Sequence, residues 1–492
     1  MSVCHTKKVQ KQTGDATPVR EANKEDFREH LSTADKDGYR RWIYAKKPSG
    51  RFHRWRTWVS WLLLAIMFVG PFVRINGNPL LMMNIVEGRF SILGKIFWPQ
   101  DMAIFAVAML LFLMSIIVFT TAFGRLWCGW TCPQTLLMEM VFRKIEYAIE
   151  GDSTAQRRLD AAPWTFDKIR KKAVKHAVFL VLSFLIGNTL LSYIIGSDKL
   201  FQIVTDDPRL HLSGLSFMIL FTLGFYGLFA RFREQACTFI CPYGRFQSAV
   251  VDENSMVIAY DYKRGENRRP LQRGKPIELR QAEGFGDCVN CRACVSVCPT
   301  GIDIRNGTQM ECVSCTACID ACDNIMDKIG RPRGLIRYAS SNSIERGERF
   351  KFTSRMAWYS VVYAALATLF VVLVATRADV EATLLRAPGA LYQTTEDGKF
   401  RNLYTLKVAN KTSRDIPLQL KIENTEGSLK LMSGALVVMK EQLAQTSVLI
   451  DLDPITLTGS KTKLQIGVYS NGKRLETVNT VFIGPRNTAP EN

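Results

Sequence analysis

The sequence predicts a multi-domain membrane protein in three parts: an α-helical membrane bundle of about five spans, a cysteine-rich domain, and a C-terminal β-sandwich. Three observations carry this reading. Apolar stretches of membrane-crossing length recur along the chain. Eight of the thirteen cysteines crowd into residues 288–322. The last 115 residues hold no cysteine and alternate apolar with polar residues.

The apolar stretches run approximately over Trp58–Val73, Met102–Phe123, Val174–Ile195, Leu212–Ala230 and Met356–Thr376. The first is short and ends near Pro71. Because some 55 polar residues precede it, a secretory signal peptide is not expected. Basic residues then set the direction of crossing. Residues 1–57 carry fourteen Lys and Arg and residues 124–172 carry nine, whereas 74–101 carry three and 197–210 carry two. The positive-inside rule places the N-terminus, the 124–172 loop and the 231–355 segment in the cytoplasm. The expected location is thus a bacterial inner membrane, with the tail in the periplasm. The net charge of +19 is explained by loops facing an acidic membrane surface. No aromatic-interleaved basic patch or nucleic-acid module accompanies it, which argues against nucleic acid as a partner.

Domain boundaries follow. Residues 1–55 read as a cytoplasmic, largely disordered arm, and 56–250 as a membrane domain with four spans. Residues 251–354 read as a cytoplasmic cysteine-rich domain, 355–377 as the fifth span, and 378–492 as the periplasmic sandwich. In that tail "NLYTLKVANKT", "IPLQLKIENT", "SVLIDLD" and "KLQIGVYSNGKRLETVNTVFIG" read as strands. Asn471-Gly472 between two alternating runs signals a hairpin, and the regular spacing suggests a small sandwich. It holds no catalytic cluster.

The cysteine block repeats C-x2-C-x2-C-x3-C after thirteen residues. Several thiolates around one small cavity suit an iron–sulfur cluster. In two-cluster bacterial ferredoxins the fourth cysteine of each run crosses to the other cluster. On that pattern Cys288, Cys291, Cys294 and Cys322 hold one [4Fe–4S] cluster, and Cys298, Cys312, Cys315 and Cys318 hold the second. Pro299 follows the first crossing cysteine, while Asp323 stands where a second proline is usual. A disulfide framework suits a reducing compartment poorly, and paired zinc sites rarely need a third closely spaced cysteine in each run plus a crossing one.

Four further cysteines fall in two matching places. "GRLWCGWTCPQT" holds Cys128 and Cys132, and "REQACTFICPYG" holds Cys237 and Cys241; each is C-x3-C-P after an inward-running span. Spans one and two with their motif, and three and four with theirs, look like a parallel repeat that brings both motifs to one depth. Proline favours the first helical position, so Cys132 and Cys241 are expected at helix N-termini. There the dipole, with Arg125 and Arg245 nearby, favours thiolate. Leu137, Val141, Ile145 and Ala148 form an apolar stripe after the first motif. Four converging thiolates suit Cu(I), zinc or a further iron–sulfur centre. A single C-x3-C would read as ordinary buried cysteines; two copies in register point to metal or redox work.

Other candidates are weaker. Cys4 beside His5 lies in the arm. His176 and His211 sit at opposite ends of spans, so paired haem ligation is not expected. Met82 and Met83 in the first outer loop read as interface packing rather than copper ligands.

Together "GRFHRWR", "IFWPQD", "GRLWCGWTCPQT", "IEYAIEGD", "REQACTFICPYGRFQSA", "YDYKRGE", "GDCVNCRACVSVCPTGIDIRNG" and "CIDACDNIMDKIGRPRGLIRY" resemble the FixG/RdxA/CcoG family over nearly the whole chain. The resemblance implies an inner-membrane iron–sulfur protein for assembly of the cbb-type cytochrome c oxidase. It implies a cupric reductase taking Cu(II) to Cu(I), and an immunoglobulin-like C-terminal module. Copper at Cys128, Cys132, Cys237 and Cys241 would then be the catalytic site. Oxidase assembly factors or copper chaperones would be partners, beside an unknown cytoplasmic electron donor. The oligomeric state stays open, a homodimer included. The alternative is an electron-transfer subunit like the NapH and NosR membrane ferredoxins, feeding a quinone pool or a periplasmic reductase.

Overall fold

The computed structural model describes residue 33 and residues 39–485, apart from 76, 85–88, 93, 98–100, 272–278, 390, 413, 433, 435 and 441. Cys4 and His5 lie outside the described residues. The chain divides into two compact units, one formed by 1–71 with 108–367 and the other by 72–107 with 368–492.

Among the described residues five helical stretches are long and apolar enough to cross a membrane: α1 (Arg51–Val69, running on to Phe72), α2 (Met102–Phe123), α3 (Phe166–Ile195), α4 (Leu212–Gly227, continued by a π-helical turn to Phe232) and α5 (Ser354–Ala375). Two of them begin well before their apolar runs. α3 starts at Phe166, where Thr165 accepts from the Lys168 amide at 3.4 Å and Asp167 sits in the first turn. α1 starts at Arg51, capped from far along the chain. The buried carboxylate of Asp320 accepts from the Phe52 amide at 3.1 Å and the His53 amide at 2.7 Å. Gly50, at φ 151, makes room for it, since a Cβ there would meet the Asp320 side chain. Hydropathy alone misses both starts, because long basic side chains can continue a helix beyond its apolar part.

In the first unit the bundle packs on aromatic rings. Phe142 stacks on Phe229 at 4.4 Å between centroids and meets Phe179 edge-on at 4.8 Å. All three are buried with Leu64, Leu137 and Ile186. The helix after Pro133 contains a π-helical turn, Leu137–Phe142. That extra residue rotates the stripe expected at Leu137, Val141, Ile145 and Ala148. Leu137 is buried and Val141 and Ile145 pack against the same core as expected, but Met138 and Phe142 join them and Ala148 is exposed.

Part of the arm expected to be disordered is ordered. Residues 39–50 lie along the first unit, held by the Lys46 amide on the Ser296 carbonyl (2.7 Å) and Tyr44 Oη on Asp160 (2.6 Å). Trp42 lies between the guanidinium groups of Arg40 (4.5 Å) and Arg233 (4.4 Å). Its polar composition hid this, because the segment is fixed by cation–π and ion-pair contacts rather than by an apolar stripe.

The second unit holds a two-sheet sandwich. One sheet has the order β12 (Gly427–Leu431), β14 (Leu443–Leu452), β10 (Phe400–Asn410) and β8 (Val380–Arg386), with β9 (Gln393–Thr394) on β10. The other runs β13 (Leu436–Val438), β11 (Ile416–Ile422), β15 (Lys461–Ser470) and β16 (Lys473–Ile483). Alternate residues such as Tyr404, Leu406, Val408, Val448, Ile450, Leu464, Ile466 and Phe482 fill the space between them. Asn471 (φ 48) and Gly472 (φ 80) turn β15 into β16. Residues 74–97, read from sequence as a loop, form the short strands β1 (Arg74–Ile75), β2 (Asn78–Pro79), β3 (Leu81–Asn84), β4 (Arg89–Ile92) and β5 (Lys95–Phe97). Runs this short leave no alternation to detect. In this unit buried Asp101 binds Arg377 (2.7 Å) and Lys411 (2.6 Å).

Candidate redox site

The cysteine block folds over a two-stranded pair, β6 (Val257–Tyr260) and β7 (Ile336–Ala339). Cys288, Cys291, Cys294 and Cys322 line one cavity, together with Tyr260 and Arg305. Cys298, Cys312, Cys315 and Cys318 line a second, which Cys294 also touches. All twelve described cysteines are free thiols.

The residues fit [4Fe–4S] clusters. Each cavity presents four thiols, the donor set such a cluster takes. The buried hydroxyl of Tyr260 lies on the first cavity beside Cys288, placed to donate to a ligating sulfur. Burial pushes the Cys294 thiol up to about 12 and those of Cys312 and Cys315 up to about 11. Cys298, Cys318 and Cys322 are raised by the same cause. Ligation therefore has to release their protons. Arg280 donates to the Cys288 carbonyl at 3.0 Å and to the Gly286 carbonyl at 3.0 Å, bracing the first loop.

The two C-x3-C-P motifs fold alike. Cys128 lies in the turn Leu126–Trp130 and Cys237 in the turn Ala236–Ile240. Cys132 and Cys241 are extended N-cap residues, each followed by proline at the first helical position. The motifs meet. Cys128 Sγ donates across to Gln247 Oε1 at 3.2 Å, while within the second motif a Cβ on Gly244 would stand 2.7 Å from the Cys237 carbonyl. Arg125 donates to the Gly244 carbonyl as well as to Met310. Burial first, then the neighbouring thiols, push Cys128 and Cys237 up to about 12. At these two positions burial outweighs any help from the nearby arginine. Arg245 is exposed.

This quartet stands against the second cavity. Cys128 packs on a cluster of Val297, Val313, Cys315 and Ala317. A Cβ on Gly129 would meet the Val313 carbonyl at 2.6 Å. Trp130 Nε1 donates to Tyr338 Oη (3.2 Å), which donates to the Ser314 carbonyl (3.3 Å). Sequence reasoning missed Gln247, Gly129 and Tyr338. Motif duplication points to the cysteines, but nothing in the spacing reveals what they touch. Among the described residues no three His, Cys, Asp or Glu side chains stand close enough to share a single metal ion as placed. A mononuclear site would need the quartet's side chains to turn inward. Met82 is buried and Met83 exposed in the second unit.

Comparison with known families agrees with the thiol geometry. A family model described as a 4Fe-4S dicluster domain matches residues 232–341, and one described as a 4Fe-4S binding domain matches 105–149. A third, described as the IG-like fold at the C-terminal of FixG, matches 370–485. The fold and the cavities thus define an iron–sulfur redox protein with helices of membrane length and an immunoglobulin-like tail. Protein RdxA of Cereibacter sphaeroides is 32% identical over 90% of this chain and 97% of its own. Nitrogen fixation protein FixG of Rhizobium meliloti is 32% identical over 80% of this chain and 82% of its own, and protein RdxB of C. sphaeroides 34% over 79% and 83%. The chain belongs to the FixG/RdxA family.

Proposed function

We propose that the protein reduces copper for assembly of a cbb-type cytochrome c oxidase, with Cys128, Cys132, Cys237 and Cys241 as the copper site. When bound, the two clusters supply low-potential single electrons. The carrying observation is the direct abutment of the quartet on the second cavity through Cys128, Gly129 and Trp130. Soft thiolates favour Cu(I) over Cu(II), so one electron converts the bound ion and no bond to carbon is made or broken. Cys128 and Cys237, protonated when free, would release their protons to water as the metal binds their sulfurs. The lysine and arginine distribution supports a cytoplasmic site for the cavities and a periplasmic sandwich. An unidentified cytoplasmic donor, and oxidase assembly factors or copper chaperones, complete the scheme.

The test is substitution within the quartet. Cys132→Ser or Cys241→Ser should weaken copper binding and abolish Cu(II) reduction, with both clusters' iron retained. The double variant should lose little more than either single one, because members of a shared site are not additive. Reduction at wild-type rate in the double variant would sink the proposal.

One observation favours a second reading. The 4Fe-4S binding model over 105–149 includes Cys128 and Cys132, so the quartet also suits a further iron–sulfur centre in an electron-transfer subunit. Anaerobic metal analysis separates the two, since a third cluster would add about four iron per chain.

A further inference from the structure

The two cysteine runs share a backbone device. In each, the middle cysteine lies between two residues in the left-handed region: Asn290 (φ 49) and Arg292 (φ 56) around Cys291, Ser314 (φ 54) and Thr316 (φ 66) around Cys315. A helix follows each, Ala293–Ser296 and Ala317–Lys328. Their surroundings are opposite. Ser314, Cys315 and Thr316 are buried, with Gly129 and the Trp130–Tyr338 pair over them. Cys291 and Arg292 are exposed, and Cys291 is the one exposed thiol among the twelve described cysteines. One loop is closed by the turn Cys128–Trp130 and Tyr338. Its twin is open.

Charge surrounds the open loop. Glu266 is matched by Arg268 (3.0 Å), Asp287 by Arg264 (2.6 Å) and Asp303 by Arg305 (2.6 Å). Arg292 forms no ion pair among the described residues, so its charge is unspent at the surface beside Cys291. We infer that the Asn290–Arg292 loop is the docking surface for an acidic one-electron carrier protein, which delivers its electron at Cys291. The carrier is oxidised by one electron and this protein is reduced by one; no bond or proton moves. The direction of flow rests on the proposed function, which makes the quartet the outlet.

A photoreduced acidic flavodoxin is the probe and a basic cytochrome c the control, each titrated against the full detergent-solubilised chain without copper. Arg292→Glu should weaken flavodoxin binding roughly tenfold or more at low salt, because like charges at a rim slow association. Arg292→Lys should keep it. Wild-type binding should weaken as ionic strength rises from about 0.01 to 0.15 M and the screening length falls from about 30 to 8 Å. Unchanged binding in an iron-replete Arg292→Glu protein overturns the inference. So does salt-insensitive wild-type binding, or a preference for the cytochrome, and these wild-type arms decide the matter even where the variant loses iron. Because binding is read without copper, a protein that docks flavodoxin yet reduces no Cu(II) counts against the proposed function alone.

Discussion

Gly129→Ala probes the junction on which copper reduction depends. Gly129 is buried between Cys128 and Trp130, and its added Cβ would lie 2.6 Å from the Val313 carbonyl, about 0.8 Å short of the 3.4 Å where ordinary contact begins. The obstacle is backbone, so no side chain can swing aside. On the near side the turn is pinned by Arg56 Nε on the Gly129 carbonyl at 2.6 Å and by Thr135 on the Cys128 carbonyl. The strain therefore falls on the gap between the quartet and the loop carrying Cys312 and Cys315. Overpacking of this kind costs about 1–3 kcal/mol, which a protein of this size should survive. Misplacement near 1 Å can cost about a hundredfold in rate, so the variant should reduce Cu(II) roughly ten- to a hundredfold more slowly. The assay is anaerobic single-turnover reduction followed with a chromophoric Cu(I) chelator, with iron content as the control for folding. Wild-type reduction in an iron-replete Gly129→Ala protein would show that electrons do not cross at this contact.

Three further outcomes are expected. Cys294→Ala should remove about half of the roughly eight iron atoms per chain, measured by colorimetric iron and sulfide; near-zero iron with stoichiometric zinc in the wild type would refute the cluster assignment. Asp320→Ala removes the long-range cap of α1 and should cost about 1 kcal/mol, read as a lowered thermal midpoint of the full chain. A periplasm-active reporter fused after Pro485 should be active and one fused at Gly286 silent; the reverse pattern would put the cavities outside.

What the sequence made legible was whatever repeats or alternates. Duplicated cysteine spacings marked the thiols, apolar length marked the five helices, and Asn471-Gly472 marked its hairpin. What it hid were contacts between distant residues. Nothing near Arg51 announces that Asp320 caps it, and nothing in "YAKKPSG" reports that Lys46 binds the Ser296 carbonyl. The π-helical turn at Leu137–Phe142 was illegible for another reason: one inserted residue breaks the period by which a buried face is recognised. Short strands over 74–97 fell below the length at which alternation can be counted.

Buried charges around the quartet offer a way for the two cysteine motifs to be held in register. Each C-x3-C-P motif is flanked by acid and base that reach across to the residues flanking the other. Glu146, after the first motif, is bound by Arg233, before the second, and by Lys175 of α3 at 3.5 Å. Arg143 binds Glu139 at 2.8 Å and approaches Glu234 at 3.9 Å, while Arg40 holds Glu234 at 3.0 Å. Arg143, Glu146, Arg233 and Glu234 are all buried. Such pairs add little net stability, since desolvation offsets their attraction, but losing one partner strands a buried charge at about 3–5 kcal/mol. Arg233→Met alone should therefore destabilise the protein strongly, shown by a lower midpoint of thermal unfolding. Adding Glu146→Met should recover most of that loss, because an apolar pair of similar volume removes both desolvation costs. The recovered double variant is the informative one. If the ion pairs serve registry, it should be stable and iron-replete yet bind copper at the quartet more weakly than wild type. Full copper affinity in a stable double variant would mean that packing of Phe142, Phe179 and Phe229 alone aligns the two motifs.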